Sequence, residues 1–403
     1  MLSEIVIVLS IIGIALGRIP YLRMNRASIA LVGAVSVVLV GGLTIEEASK
    51  ALDLETLVLL FSMMVISVNL KLSGFFRLAE DRITRLARTP RQLLALIILS
   101  GGIFSAFFLN DTVVLMFTPL VTLMVLELGR DPLPYLIGLG ISANIGSAMT
   151  IIGNPQNMMI GISSRIEFFR FLSLLSIPSL LGLGVAYLLI VWIFRKEFAF
   201  ERFPPLTIHR RFIYPPLLWK SLVSLGIFLI GILFHLPLPF ASLIAACFLL
   251  VTRRVHPEKI FNDVDWSLLV LFAGLFVLIE AIDKDQFFHR FIEYLSSFAE
   301  SNTLVFSFVS AALSNLISNV PAVMLLKPGI SLLPNPEKAW ITLAMASTFA
   351  GNFTLLGSIA NLIVAESAKK YGVHLGFAKF LVVGVPVTLL TLFIGVAWIE
   401  FIY

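Results

Sequence analysis

The chain has 403 residues, 59% of them hydrophobic and 13% charged, with a net charge of +5. Soluble domains carry roughly 25% charged residues, so this composition excludes a soluble fold and defines an all-α polytopic membrane protein. The lone Cys247 excludes internal disulfides and gives no metal-ligand pattern, and no basic domain interleaved with aromatics suits nucleic acid.

Apolar segments follow one another at about 2–17, 28–44, 55–73, 92–109, 111–128, 133–164, 168–194, 215–234, 238–252, 265–282, 302–318, 319–333, 339–365 and 375–402. The first carries Glu4 where a secretory signal would carry basic residues, so it reads as a retained span. Sizeable polar connections stand only at 74–91, 195–214 and 283–301. None is large enough for a soluble catalytic domain. The basic, Pro-containing link 195–214 divides the chain in two.

The run Pro132–Ser164 is thirty-three residues long without one charge, yet its middle holds Asn144, Ser147, Thr150, Asn154, Gln156 and Asn157. Pro155 cannot donate its amide and pushes Asn154 away from helical angles. An interrupted helix at membrane depth is tolerated only where protein or a water-filled cavity satisfies the freed backbone. This stretch therefore reads as a broken helix at a binding site.

The two halves repeat. Thr150-Ile-Ile-Gly-Asn-Pro-Gln-Asn157 aligns with Thr354-Leu-Leu-Gly-Ser-Ile-Ala-Asn361, with Thr, Gly and Asn in the same places. Upstream, Phe108-Leu-Asn-Asp-Thr112 pairs with Ile317-Ser-Asn-Val-Pro321, and Leu72-Ser-Gly-Phe-Phe76 with Asp283-Lys-Asp-Gln-Phe-Phe288. Each half reads as three spans, a pair of arms around a polar tip, a broken span and a last span. The arms return to their starting side whether they cross or dip, so each half makes an odd number of crossings and the second is inverted. Lys and Arg number 22 on the side holding loops 18–26, 71–91, 130, 195–220, 253–259 and 369–379, against 7 on the other. The positive-inside rule then puts both termini outside the cytoplasm of an inner (plasma) membrane protein. Inverted repeats with discontinuous helices mark secondary transporters, with the site near the midplane.

Candidate site residues follow from that pattern. Asn144, Thr150, Asn154 and Asn157, with Thr354, Ser358 and Asn361, supply neutral donors and acceptors at the two breaks, where half-helix ends also present free amides and carbonyls. Gly153 and Gly357 allow a sharp turn and close approach of a ligand. The alternative is that these small polar residues join packed helices. Asp111 interrupts a stretch otherwise uncharged from Gln92 to Leu126. A charge at mid-bilayer costs roughly 2.5–3.5 kcal/mol, which points to an ion or proton role; alternatively, Asn110 or Asp111 caps the following helix at the membrane surface. Its repeat partner is Val320, so any charge here is one-sided. Glu280 reads as an interfacial acid, Lys327 as snorkelling, Glu127 as a loop charge and His235 as part of a surface turn. His209, His256, His289 and His374 show no metal spacing. No His-Glu-x-x-His, acidic pair or phosphate-binding glycine loop supports an enzyme. A channel is commonly a ring of identical subunits, which an internal inverted duplication does not suggest.

At Ser142-Ala-Asn-Ile-Gly-Ser-Ala-Met-Thr-Ile-Ile-Gly-Asn-Pro-Gln-Asn157 and Ser347-Thr-Phe-Ala-Gly-Asn-Phe-Thr-Leu-Leu-Gly-Ser-Ile-Ala-Asn361 the chain resembles the ion transporter superfamily, in particular its arsenite and silicic acid efflux permeases. Asn110-Asp111-Thr112 is similar to the Asn-Asp hairpin tip of arsenite permeases, whereas dicarboxylate carriers have Ser-Asn-Thr at both tips. The resemblance implies re-entrant hairpins at 92–128 and 302–333, whose tips meet broken helices at 133–164 and 339–365. It also implies scaffold spans at 1–74 and 215–282 that form a homodimer, and a moving transport unit. The implied site comprises Asn110, Asp111, Thr112, Asn144, Thr150, Gly153, Asn154 and Asn157 with Ser318, Asn319, Thr354, Gly357, Ser358 and Asn361. No Arg or Lys stands in these motifs, which suits a neutral hydroxy-acid. The expected function is proton-coupled efflux of arsenite or silicic acid, with Asp111 as the coupling group, no cofactor beyond H+ or Na+, and the lipid bilayer as the surrounding partner. The rival is a sodium/proton antiporter or a sodium-coupled di- or tricarboxylate carrier.

Overall fold

A computed structural model describes residues 2–17, 22–199, 202–203, 213–252, 255–285, 302–330, 333 and 335–403. The central part of the 195–214 link with His209, the connection 286–301 with His289 and Arg290, and residues 331–332 of the second hairpin lie outside the described residues. All regular structure among the described residues is helical. The first half runs α1 Leu2–Leu16, α2 Arg26–Leu39, α3 Ile45–Lys50, α4 Leu54–Ser73, α5 Phe75–Leu86, α6 Pro90–Phe107, α7 Asn110–Glu127, α8 Pro132–Ser147, α9 Pro155–Ser164 and α10 Phe168–Ile193. The second runs α11 Pro215–Leu233, α12 Leu238–Leu250, α13 Pro257–Asn262, α14 Trp266–Lys284, α15 Thr303–Ile317, α16 Asn319–Ile330, α17 Pro336–Ala350, α18 Ile359–Lys369 and α19 Phe377–Ile402. Seven of these are long and apolar enough to cross a membrane.

The plan is the same in both halves: two spans, a short helix, a long span, a hairpin, a broken helix and a long last span. Local chemistry repeats with it. Asp53 and Asp265 cap α4 and α14, accepting from Thr56 N at 3.0 Å and Leu268 N at 3.1 Å. Asp131 and Asn335 likewise cap α8 and α17. Pro119 and Pro328 lie inside the second hairpin arms, and Pro178 and Pro386 inside the last spans. The polar stretch 74–91 is itself largely the amphipathic helix α5, with only Phe76, Glu80 and Ile83 buried.

Side-chain pairs fix the inversion. Lys71 at the end of α4 pairs at 3.0 Å with Asp263, just ahead of α14, while Lys284 at the end of α14 pairs at 2.7 Å with Glu47 of α3, just ahead of α4. The two long spans therefore run antiparallel. The hydrogen bond from Lys284, with help from Thr44, holds the exposed Glu47 carboxyl down to about 2. Trp398 near the end of α19 donates 2.8 Å to Leu174 O near the start of α10, which makes the last spans antiparallel too. On the side of the basic loops, Tyr135 of α8 meets Glu197 at 3.2 Å, and Arg91 of α6 meets Phe198 O at 2.9 Å beyond the end of α10.

The middle of the molecule is α8 and α17. Every residue of α8 is buried, as is α17 from Ala339 to Ala350. Around α8 lie α6, α7 and α10; around α17 lie α15, α16 and α19. Small residues permit this: a methyl group at Gly146 would come 2.1 Å from Gly102 O on α6. Large apolar side chains such as Trp192, Trp219 and Phe401 instead point outward, as lipid-facing residues do.

Candidate functional site

Both central helices break where the sequence repeat falls. In the first half the chain leaves α8 after Ser147 and resumes at Pro155, with Asn154 extended at φ −152° and its Oδ1 capping Asn157 N at 2.8 Å. In the second it leaves α17 after Ala350, makes a short 3-10 turn at Leu355–Gly357, and resumes as α18 under Ser358, whose Oγ accepts from Ala360 N at 3.2 Å. The first hairpin tip sits against these breaks rather than at a surface. Asn110 N donates to Gly153 O at 3.1 Å, and Asn110 is buried. The hairpin thus returns to the side it came from, and Asp111 lies in the first turn of α7 with Asn110 Oδ1 accepting its amide at 2.9 Å. Neither residue caps the helix with its side chain from a surface position.

Asn144 is the hub. Its Oδ1 accepts from Asn110 Nδ2 at 3.2 Å and Ser358 Oγ at 2.9 Å, and its Nδ2 donates to Asn352 Oδ1 at 2.9 Å and Asn361 Oδ1 at 3.4 Å. One side chain of α8 thereby ties the first tip to the second break. Asn154 and Asn157 clamp the first break: Asn154 Nδ2 reaches Ser147 Oγ at 2.9 Å and Thr348 Oγ1 at 3.3 Å, and Asn157 Nδ2 reaches Thr150 O at 3.1 Å. Thr150 Oγ1 donates to Ala106 O on the first hairpin. In the second half Thr354 Oγ1 donates to Asn315 Oδ1 at 3.4 Å, while Asn315 Nδ2 holds Ala350 O at 2.8 Å. At Gly153 a methyl group would come 2.3 Å from Ser147 O; at Gly357, 2.6 Å from Asn315 Oδ1. Backbone crowding requires a glycine at 153, whereas at 357 the close atom belongs to a side chain.

A cavity of about 40 Å³ lies where the two tips meet the two half-helices. Asn110, Asp111, Gln156, Ser318, Asn319 and Ser358 line it with Arg26. It is large enough for a few waters. Asp111 and Arg26 are its charged residues. No ion pair joins them, and no carboxylate stands within 4.0 Å of Arg26 among the described residues. Arg26 Nη1 donates to Ser318 Oγ at 3.5 Å. Ser318 has φ 79°, and the buried Oδ1 of Asn319 has no hydrogen-bond partner. A larger vestibule of about 860 Å³ shares Arg26, Leu268, Leu271, Ser318 and Ile359 with the cavity and also meets Asp265 and Glu366. It lies toward the ends of α1 and α18 and the starts of α2 and α14, on the side of the basic loops. A third cleft, of about 470 Å³, lies on the opposite side between the α9–α10 and α11–α12 turns and shares no residue with the cavity.

Most predicted site residues thus meet, but in three groups: the Asn144 network, the clamps on each break, and the cavity. Thr112 is half-buried on α7 and does not line the cavity. Glu280 is part of the Lys284 cluster at the surface, and the exposed His235 stands at its turn, 3.2 Å from Glu167. Sequence reasoning missed Arg26, Thr348, Asn352 and Asn315. Thr348 is the repeat counterpart of Asn144 and was within reach of the repeat; Asn352 aligns with Ala148, so the repeat hid it. Arg26 reads in sequence as a third loop arginine after Arg18 and Arg23.

An inverted pair of broken helices facing two hairpin tips, with a polar cavity opening to one side, defines a secondary transporter of small solutes. The citrate transporter family model matches residues 7–350, and the chain belongs to that family. It is 28% identical to the silicon efflux transporter LSI3 of Oryza sativa subsp. japonica, over 94% of this chain and 93% of that one. It is 25% identical to the putative transporter arsB of Dictyostelium discoideum, over 97% of this chain and 91% of that one. The fold matches the YdaH transporter of Alcanivorax borkumensis with a TM-score of 0.61 at 15% identity, covering 100% of this chain and 96% of that one.

Proposed function

We propose that the protein exports a small inorganic hydroxy-acid, of the arsenite or silicic acid type, in exchange for protons. The observation that carries this is Asp111: a single carboxylate at a hairpin tip, without an ion-pair partner among the described residues, lining a cavity whose other polar groups, Arg26 apart, are amides and hydroxyls. A carboxylate in that setting is suited to cycle a proton. Uncharged Asn and Ser groups suit a substrate made of hydroxyls, and the likeness to a silicon efflux transporter agrees. In this reading the basic side is cytoplasmic, both termini are outside, and the vestibule opens to the cytoplasm. Spans α1–α4 and α11–α14 form the scaffold of a homodimer, and the hairpins and broken helices move against it.

A second reading, a sodium- or proton-coupled carboxylate carrier, is favoured by Arg26 in the cavity and by the citrate description of the family. Flux into proteoliposomes separates the two. With arsenite, silicic acid and citrate offered under imposed pH and Na+ gradients, the expected result is pH-driven movement of arsenite or silicic acid. Na+-driven citrate uptake would replace this proposal with the second reading.

A further inference from the structure

Arg26 has no task in the proton cycle just proposed. It begins α2, which packs on α1 and α14 and belongs to neither hairpin nor broken helix. Its side chain is half-buried, lines both the small cavity and the vestibule, and makes one long hydrogen bond to the second tip. A guanidinium offers five donors, and a cation taken out of water without an anion is costly. The tip it touches is also unusual. Ser318 holds a left-handed φ of 79°, which glycine would adopt more easily, and next to it Asn319 Oδ1 is a buried acceptor without a donor. Unused donors and an unused acceptor therefore flank one cavity. The backbone makes room for the guanidinium at Gly17, where φ is +77° and a methyl group would come 3.2 Å from Arg26 Nε.

We propose that Arg26 is a specificity-determining residue, which binds an acceptor oxygen of an oxyacid substrate while the site faces the vestibule. This rests on the transport reading above and adds the feature by which the substrate is selected: one oxygen that accepts from Arg26 and one hydroxyl that donates to Asn319. Because α2 stands outside the elements that move in that reading, the substrate loses this contact when the tips carry it away. Release on the far side is then favoured. Weak inorganic hydroxy-acids and hydroxy-carboxylates share this chemistry.

The test is thermal unfolding of the full-length, detergent-solubilised protein with and without arsenite, silicic acid or citrate, in wild type, Arg26→Lys and Arg26→Gln. At least one of the three ligands is expected to raise the wild-type Tm, and which one does so identifies the source of the oxygen. In Arg26→Gln the concentration needed rises about tenfold or more, the scale of a lost charged hydrogen bond. Arg26→Lys recovers part of it. A lowered basal Tm with the ligand-induced shift intact would mean a structural role and overturn the proposal, as would no shift with any ligand in wild type. Phenylglyoxal labelling of the wild type, read by peptide mass spectrometry, does not depend on a variant folding. Protection of Arg26 by the stabilising ligand supports the proposal, and unchanged labelling overturns it. Wild-type flux indifferent to a pH gradient would defeat the proton-coupling reading while leaving the ligand shift in place, so the two failures are told apart.

Discussion

The two halves share one plan but not one texture. In the first, the broken helix is buried from Pro132 to Gly161, its turn is clamped by Asn154 and Asn157, and the facing tip carries Asp111. In the second, the tip carries Val320 in that place, Ser318 is strained, Asn319 has an unpaired acceptor, and Leu356 of the break is 62% exposed beside the vestibule. The first tip is charged and its break clamped; the second tip is strained and uncharged, and its break borders the vestibule. A duplicated, inverted scaffold thus permits its two copies to diverge, and in the function proposed above the carboxylate on the first repeat is the coupling group.

Paired substitutions break or sharpen that contrast. Asn144→Ala has the largest expected effect, because it leaves Asn110, Ser358, Asn352 and Asn361 short of a buried partner together. A loss of roughly 3 kcal/mol or more, seen as a lowered Tm, is expected from groups that each cost about 1–3 kcal/mol when unpaired. Thr348→Ala, at the counterpart position, removes only bonds of 3.3–3.4 Å and should cost about 1 kcal/mol. Equal losses would remove the claim that the first half holds the hub.

Gly153→Ala comes next. Its methyl group would meet backbone oxygens of Ser147 and Ser105 at 2.3 and 2.7 Å, neither of which can step aside. The expected cost is about 2–3 kcal/mol, at the upper end for overpacking. At Gly357 the closest atom is the side-chain Oδ1 of Asn315, which can rotate, so Gly357→Ala should cost about 1 kcal/mol by denaturant titration. The smallest effect is expected at Pro155→Ala. Pro155 occupies the first turn of α9, where its missing amide costs nothing, and Ile359 fills the same position in α18. A loss under about 1 kcal/mol is expected from lost rigidity of the unfolded chain. A collapse of the fold would mean that proline, and not the clamps, breaks the helix.

That last pair also shows what the sequence could and could not convey. Spans, repeat and inversion were legible because charge-free runs, Thr-x-x-Gly-x-x-x-Asn and the Lys/Arg asymmetry are properties of residue order. The break at 351–358 was less legible, since it lacks a proline; side-chain caps from Ser358 and hydrogen bonds through Asn315 sustain it instead. The short helices α3 and α13 and the amphipathic α5 are too polar to register as apolar segments. Which asparagine is the hub depends on geometry across 208 to 217 positions of chain, from Asn144 to Asn352 and Asn361, and no local pattern encodes that. Arg26 was hidden for the same reason: its loop composition points to water, whereas its fold position turns it into the cavity.

Asp111 as the proton-coupling group is the central feature of the proposed function. The direct measurement is internal pH, reported by a trapped fluorescent dye, in proteoliposomes challenged with arsenite or silicic acid, for wild type and Asp111→Asn side by side. The expected result is a substrate-dependent proton movement in wild type that is absent in Asp111→Asn, even where some substrate still crosses. Proton movement of wild-type size in Asp111→Asn would contradict the account.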